Sequence, residues 1–378
     1  MILTILIPIL FSLFFVSVVF QLYFIIFIFA KINRVDSWET TKSKPLAVSV
    51  IVCAWNELNN LEELLPLLNN QDYASFEILV MDDRSSDGTY DYLLTECNKF
   101  QKVRFIRLEE TPNHLSSKKY ALTIGIESAK YDIILLTDAD CRPKSNHWIK
   151  QMVACMTPEK EIVLGFSPYF KAKGFLNNLI QYETFITALQ YFSFAIVGIP
   201  YMGVGRNLMY RKSLFLKNEG FSNHTNIVGG DDDLFMNDVA TAENTAICLN
   251  ADAFMYSVPK ITWDSWYRQK RRHLSVSKQY KIRNKILLGG LASTQIFTWL
   301  TFFILIPIVW HNPLVYAMLG FFFVRLIAQW IIFSKANKQL DNTLETITLP
   351  LWDVIFALYF LIMGINNFIP RRRKMRWR

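Results

Sequence analysis

AVSVIVCAW, residues 47–55, is a nearly unbroken apolar run rich in valine. A strand buried on both faces, as in a parallel sheet covered by helices, needs this composition, whereas a strand with one wet face alternates. Immediately downstream, Asn60 and Glu63 have capping-box spacing, and Leu61, Leu64, Leu65 and Leu68 repeat on one helical face. The pattern then recurs. FEILVMDD (76–83) reads as a strand, Tyr90, Leu93, Leu94 and Cys97 as a helical face, and VRFIRL (103–108) as a strand. A helix follows near 117–129, then the strand DIILLTDAD (132–140). Alternating strands and helices predict an α/β domain with a mostly parallel central sheet, and ligands at the carboxyl ends of its strands.

Outward from this domain the chain becomes apolar at both ends. The first 30 residues carry no charge, and Ile2 to Ala30 exceeds the roughly 20 residues that span a bilayer, with Lys31 and Arg34 directly after it. Residues 1–33 are therefore expected to be an N-terminal transmembrane anchor whose C-terminal end is cytoplasmic. A cleaved signal peptide fits less well, because the run lacks a basic start and is too long. Three more apolar runs, near 286–310, 314–333 and 347–369, make residues 286–369 a set of C-terminal transmembrane segments, the first two joined by His311-Asn312-Pro313. Three crossings would put the basic tail, residues 370–378, outside, against the positive-inside rule. Asp353, Asn366 and Asn367 therefore mark the last segment as the one expected to be re-entrant or interfacial, since polar groups facing lipid are costly.

The 378-residue chain has a net charge of +8, yet its excess cations sit in the tail and around Arg268 to Lys285, beside the apolar runs. Anionic lipid accounts for them better than nucleic acid does. Cys53, Cys97, Cys141, Cys155 and Cys248 show no C-x-x-C spacing, so neither a disulfide nor a zinc site is expected.

Two strands end in acidic clusters, Asp82-Asp83 and Asp138-Ala139-Asp140. Acidic strand ends are common turn formers, but two in one sheet point to a binding crevice. A D-x-D at such an end can place one or both carboxylates on Mg2+ or Mn2+, leaving the rest of the octahedron to water and substrate phosphate. No P-loop or G-x-G-x-x-G is present, which argues against an ATPase or a dinucleotide enzyme. A third site, Gly229-Gly230-Asp231-Asp232-Asp233-Leu234, crowds three carboxylates behind two glycines, and one of them could serve as a general base. Gln269 and Arg272 share a helical face and suit a diphosphate. The aromatic stretch at 174–200 reads as a core or interfacial helix.

In this order the motifs resemble the family 2 glycosyltransferases, membrane-bound inverting enzymes with a GT-A fold, over roughly residues 46–285. MDDRSSDGT is similar to the family's nucleotide-binding strand end, which implies Asp83 near the uracil or ribose. Asp138-Ala139-Asp140 matches its D-x-D, implying Asp140 foremost, with Asp138, as the metal site and Asp138 as a substrate contact. Gly230-Asp231-Asp232-Asp233-Leu234 resembles E-D-x-D-L, implying Asp231 as catalytic base and Asp232 as a substrate contact, with Gly230 in the place of the family's Glu. Ser117-Lys118-Lys119-Tyr120-Ala121-Leu122 resembles G-K-x-x-A-L, implying Lys118 near the donor. Gly203-Val204-Gly205-Arg206-Asn207 resembles an acceptor-side motif ending in Asn207. Gln269-Lys270-Arg271-Arg272-His273 resembles Q-x-x-R-W, with His273 replacing the Trp of processive synthases.

The resemblance thus implies an integral membrane enzyme, in a bacterial inner membrane with its catalytic domain cytoplasmic. It would move one sugar from a nucleotide-sugar donor, UDP by default, to a lipid or lipid-linked acceptor, in cell-envelope polysaccharide or glycolipid synthesis. A processive polysaccharide synthase is the rival within enzymes. A non-catalytic scaffold or transport subunit is the rival outside them.

Overall fold

The computed structural model describes residues 2–35, 46–112, 115–225, 227–341 and 343–368. The basic tail and the side chains of Asn366 and Asn367 lie outside the described residues. The chain divides into two compact units, one made of its two ends, up to Val35 and from Tyr280 onward, and one of the middle.

Among the described residues the middle unit has nine strands: β1 (Val48–Ala54), β2 (Phe76–Asp82), β3 (Val103–Arg107), β4 (Ile133–Asp138), β5 (Cys141–Pro143), β6 (Ile162–Leu164), β7 (Leu208–Arg211), β8 (Thr245–Ile247) and β9 (Met255–Ser257). Seven form one sheet in the order β3-β2-β1-β4-β7-β6-β8. β3, β2, β1 and β4 are mutually parallel, β7 runs antiparallel to β4 and β6, and β6 is parallel to β8. The sheet is mostly parallel, as the alternation implied, and every residue of β1 and β2 is buried. Leu61, Leu64, Leu65 and Leu68 of the helix Leu58–Asn69 cover one of its faces. β5 and β9 form a separate antiparallel ribbon directly after the D-x-D.

The helix Phe175–Ile196, open between core and interface on sequence, is a core helix. Tyr182, Phe185, Leu189, Tyr191 and Phe192 are buried on it, and its Glu183 pairs with Lys270 at 2.7 Å.

Among its described residues, the unit formed by the chain's ends contains four helical segments long and apolar enough to cross a membrane: Ile5–Arg34, Ile282–Val309, Leu314–Gln339 and Thr346–Ile365. Aromatic packing joins three of them, with Phe14, Leu305, Met318 and Phe322 buried together. A polar cluster joins all four. Asp353 is fully buried and accepts from Gln295 Nε2 (2.8 Å), Trp299 Nε1 (2.8 Å) and Gln329 Nε2 (2.9 Å). It also takes a two-pronged hydrogen bond from Arg325, whose Nε donates to Gln21 Oε1 at 2.6 Å. The part of the re-entrant argument that rests on Asp353 therefore loses its footing: this carboxylate faces the interior of the helical unit with a paired cation, where an intramembrane carboxylate is tolerable.

Candidate active site

β1 lies between the two acidic strand ends, and its register places Ala54 beside Asp82 and Cys53 beside Asp138. Both clusters therefore reach the same edge of the sheet. Lys118, in the first turn of the helix Ser117–Ser128, extends over that edge. Its Nζ lies 2.9 Å from Asp138 Oδ1 and 3.2 Å from Asp231 Oδ2, so one ammonium joins the second and third acidic motifs. Burial opposes that charge, but Asp138, Asp231 and Asp232 outweigh it and hold the lysine well above its ordinary pKa.

The two carboxylates of the D-x-D differ. For Asp138 burial favours the neutral acid, but Lys118, Arg206 and Arg272 prevail and hold it below the usual carboxylate range. Asp140 is pushed up by burial and by the charge of Asp138, with Arg206 and Lys260 offsetting only part of this. Its Oδ1 has only long contacts, from Cys141 Sγ at 3.6 Å and Ser257 Oγ at 3.5 Å. Lys118 already compensates Asp138, so Asp140 is the carboxylate with most to gain from a cation. Among the described residues no group of three or more His, Cys, Asp or Glu could enclose a metal. The donor set that remains, one or two carboxylates, suits Mg2+ or Mn2+ completed by water and phosphate, and is too small for a cage made by the protein alone.

Asp231 is buried at the end of a segment containing Gly229 and Gly230, at φ +87° and +73°. A Cβ on Gly230 would lie 2.8 Å from the Leu234 side chain and 3.0 Å from Val276, so the family's Glu has no room here. Asp232 is committed to the backbone. Its Oδ2 accepts from Gly205 N at 2.7 Å and its Oδ1 from Asp233 N at 2.8 Å, capping the helix Asp233–Val239. Both oxygens of the residue expected as a substrate contact thus accept from backbone N–H groups of the fold.

Asp83 is buried, with Oδ1 on Arg84 at 2.7 Å, while Oδ2 has no hydrogen-bond partner. Arg84 reaches Ser117 Oγ at 3.3 Å, which links this strand end to the turn carrying Lys118. An unmatched buried acceptor invites a donor from a ligand.

Gln269 and Arg272 lie on the helix Trp263–Ser277. Gln269 Nε2 is 3.5 Å from the Tyr169 hydroxyl, and the Arg206 guanidinium stacks 4.3 Å over the same ring. Desolvation by the surrounding protein, then Lys270, Arg272, Arg206 and Lys118, push the His273 imidazole well below its ordinary pKa.

Asn207 stands apart from these groups. It is fully buried, donates to the carbonyls of Phe166 and Ala253 at 2.8 Å each, and accepts from Trp148 Nε1 at 2.9 Å. All of these contacts are internal to the fold, whereas the neighbouring Arg206, which the sequence reading passed over, lies within the field of Asp140 and Asp138. Glu57 was passed over too. It lies in the turn after β1, at the N-cap of the helix Leu58–Asn69, and burial and the charges of Asp140 and Asp138 raise it. The strand-end rule that found Asp82 and Asp138 would have found it.

Residues 49–217 match Glycosyl transferase family 2. That stretch is similar to this family, and the middle unit has a GT-A-type fold. The glycosyltransferase AglE of Haloferax volcanii is 26% identical over 112 residues, which are 29% of this chain and 35% of that protein. The dolichol-phosphate mannosyltransferase of Pyrococcus furiosus is 31% identical over 143 residues, 38% of each chain. The matches thus span little more than a third of those relatives' lengths. Among solved structures, mannosyltransferase PcManGT from Pyrobaculum calidifontis, in complex with GDP-Man and Mn2+, aligns with a TM-score of 0.58. It is 18% identical and covers 96% of this chain and 98% of its own, a likeness of fold.

Proposed function

We propose that this chain is a membrane-bound inverting glycosyltransferase that moves a single sugar from a nucleotide-sugar donor to a lipid or lipid-linked acceptor. The observation that carries this reading is the bridge made by Lys118, which holds a D-x-D carboxylate and the Asp231 carboxylate on one ammonium. Donor side and base side are thereby within reach of the same bond.

Asp231 takes the proton of the acceptor hydroxyl, and the oxygen attacks the anomeric carbon from the face opposite the nucleotide. The bond from that carbon to the diphosphate oxygen breaks, and the diphosphate leaves with the electron pair. Lys118, Arg206 and Arg272 supply fixed positive charge where negative charge accumulates. Asp140, with Asp138, would hold Mg2+ or Mn2+, which when bound adds positive charge beside the donor diphosphate. Asp83 offers its unmatched Oδ2 to a ribose hydroxyl or a base N–H.

An acceptor from the lipid phase is supported by the rim of the cleft. Val258 N donates to the Asp140 carbonyl at 3.1 Å, and just beyond it Ile261 is 84% exposed and Trp263 half exposed, with Phe175 against Trp263. Apolar side chains left in water at the edge of a polar site suit a lipid surface. His273, smaller than Trp, favours one transfer over a growing polymer.

The test is incubation of the full-length chain in detergent, with Mn2+ and total membrane lipid, with a panel of radiolabelled UDP-, GDP- and dTDP-sugars. One sugar added to an extractable lipid is the expected product. A ladder would replace this reading with the synthase, and no transfer or donor hydrolysis from any member would favour a scaffold.

A further inference from the structure

Lys119, next to the lysine that bridges the acids, has no place in the reaction just described, yet it is almost completely buried, with 3% of its surface exposed. A lysine ammonium is a donor without acceptor capacity, and burying it is costly unless its hydrogens find partners. Here they find backbone. Nζ donates to the carbonyl of His224 at 2.6 Å and to that of Ile227 at 3.0 Å, more than 100 residues away in sequence.

The segment it grips leads straight into Asp231. Between Ile227 and Asp231 the chain is in neither helix nor strand, and it passes through two left-handed glycines, which restrict the backbone least of all residues. Asp231 would therefore be set loosely by its own segment. Three attachments fix it. Asp232 holds Gly205 on the far side, the His224 ring meets Asp238 at 2.9 Å, and Lys119 holds the near side. Consecutive lysines thus divide the work: Lys118 takes the carboxylate of Asp231, and Lys119 takes the main chain that carries it.

We infer that Lys119 is a positioning residue, which pins the backbone at His224 and at Ile227 so that the Asp231 carboxylate stands on Lys118 opposite Asp138. The inference rests on the proposed function for what Asp231 does, but the pin itself is a physical claim about the segment.

Two measurements on the full chain in detergent keep these apart. Lys119→Met preserves length and apolar bulk but removes the donors. Hydrogen exchange of amides at 227–231 is expected to quicken at least tenfold, with β1 and β4 unchanged. With whichever sugar nucleotide of the panel the wild-type chain uses, kcat should fall at least tenfold while the donor KM stays within twofold. Exchange and kcat both at wild-type values would overturn the inference. Faster exchange across the whole sheet, with kcat and donor KM failing together, would also overturn it, by making Lys119 a general stabiliser. If the wild-type chain transfers no sugar, the proposed function falls and the exchange result alone decides the pin.

Discussion

Replacing Gly230 by alanine, and then by the glutamate that the family pattern carries there, tests whether this chain has rebuilt its base segment around a missing side chain. At φ +73°, an L-residue costs roughly 1–2 kcal/mol in the left-handed region. The new Cβ would also meet Leu234 at 2.8 Å, closer than real Cβ atoms come, and Val276 at 3.0 Å, tighter than most real contacts. Crowding of that kind in a packed site adds about 1–3 kcal/mol. Together the two terms amount to about 2–5 kcal/mol for Gly230→Ala, and Gly230→Glu adds a longer chain to the same gap. The strain is most easily relieved by shifting the segment that ends in Asp231, and a displacement of about 1 Å can cost on the order of a hundredfold in rate. The assay is initial transfer rate alongside donor binding in the same detergent-solubilised protein. Binding should persist while the rate falls about a hundredfold for Gly230→Ala and further for Gly230→Glu. A glutamate variant that matched or exceeded the wild-type rate would refute the packing argument.

Asn207→Ala should lower thermal stability and yield without a selective rise in acceptor KM, because it orphans the Trp148 N–H and the Ala253 carbonyl, each worth about 1–3 kcal/mol when left unsatisfied, and leaves the Phe166 carbonyl only its bond from Met255 N; a KM effect at unchanged melting temperature would favour the acceptor reading. Arg325→Met and Asp353→Leu should each destabilise the detergent-solubilised chain by about 3–5 kcal/mol, and the double variant should recover much of the loss, because an unpaired buried charge costs more than an absent pair. Additive losses in a thermal scan would contradict the pairing of these residues. Burial lowers the Lys119 ammonium to about 8 against the opposing pull of Asp231 and Asp232. Releasing the segment would return that ammonium to water and its ordinary pKa of 10.5, so the pinned state binds fewer protons and gains as pH rises from about 8 toward 10.5. Exchange at 227–231, corrected for the intrinsic rate, should slow over that window in the wild type and stay flat in Lys119→Met.

The parts of this molecule legible in the sequence are those fixed by local pattern. A valine-rich run buried on both faces announces a parallel strand, and carboxylates at the ends of two such strands announce the crevice, because strand order brings them to one edge whatever lies between. What stayed hidden depends on distant partners. Asn207 follows two glycines in a motif that looks exposed, but β7 enters the middle of the sheet between β4 and β6, and that pairing buries it. Glu183 left its helix open between core and interface because its cation, Lys270, is 87 residues further on by the numbering. Asp353 looked like a polar flaw in an apolar run, since Gln21, Gln295, Trp299 and Arg325 come from three other helices. Lys119 is the same lesson in the site itself: beside Lys118 it reads as a second surface lysine, and only the fold gives its ammonium two carbonyls.

The central claim is that Asp231 is the base of a sugar transfer, and Asp231→Asn tests it most directly, since the amide keeps the shape and cannot take the proton. The measurement is single-turnover transfer from a donor the wild-type protein uses, with donor affinity taken on the same sample. The account predicts affinity within a few-fold of wild type and a transfer rate lower by about a hundredfold or more. Transfer at the wild-type rate would contradict it.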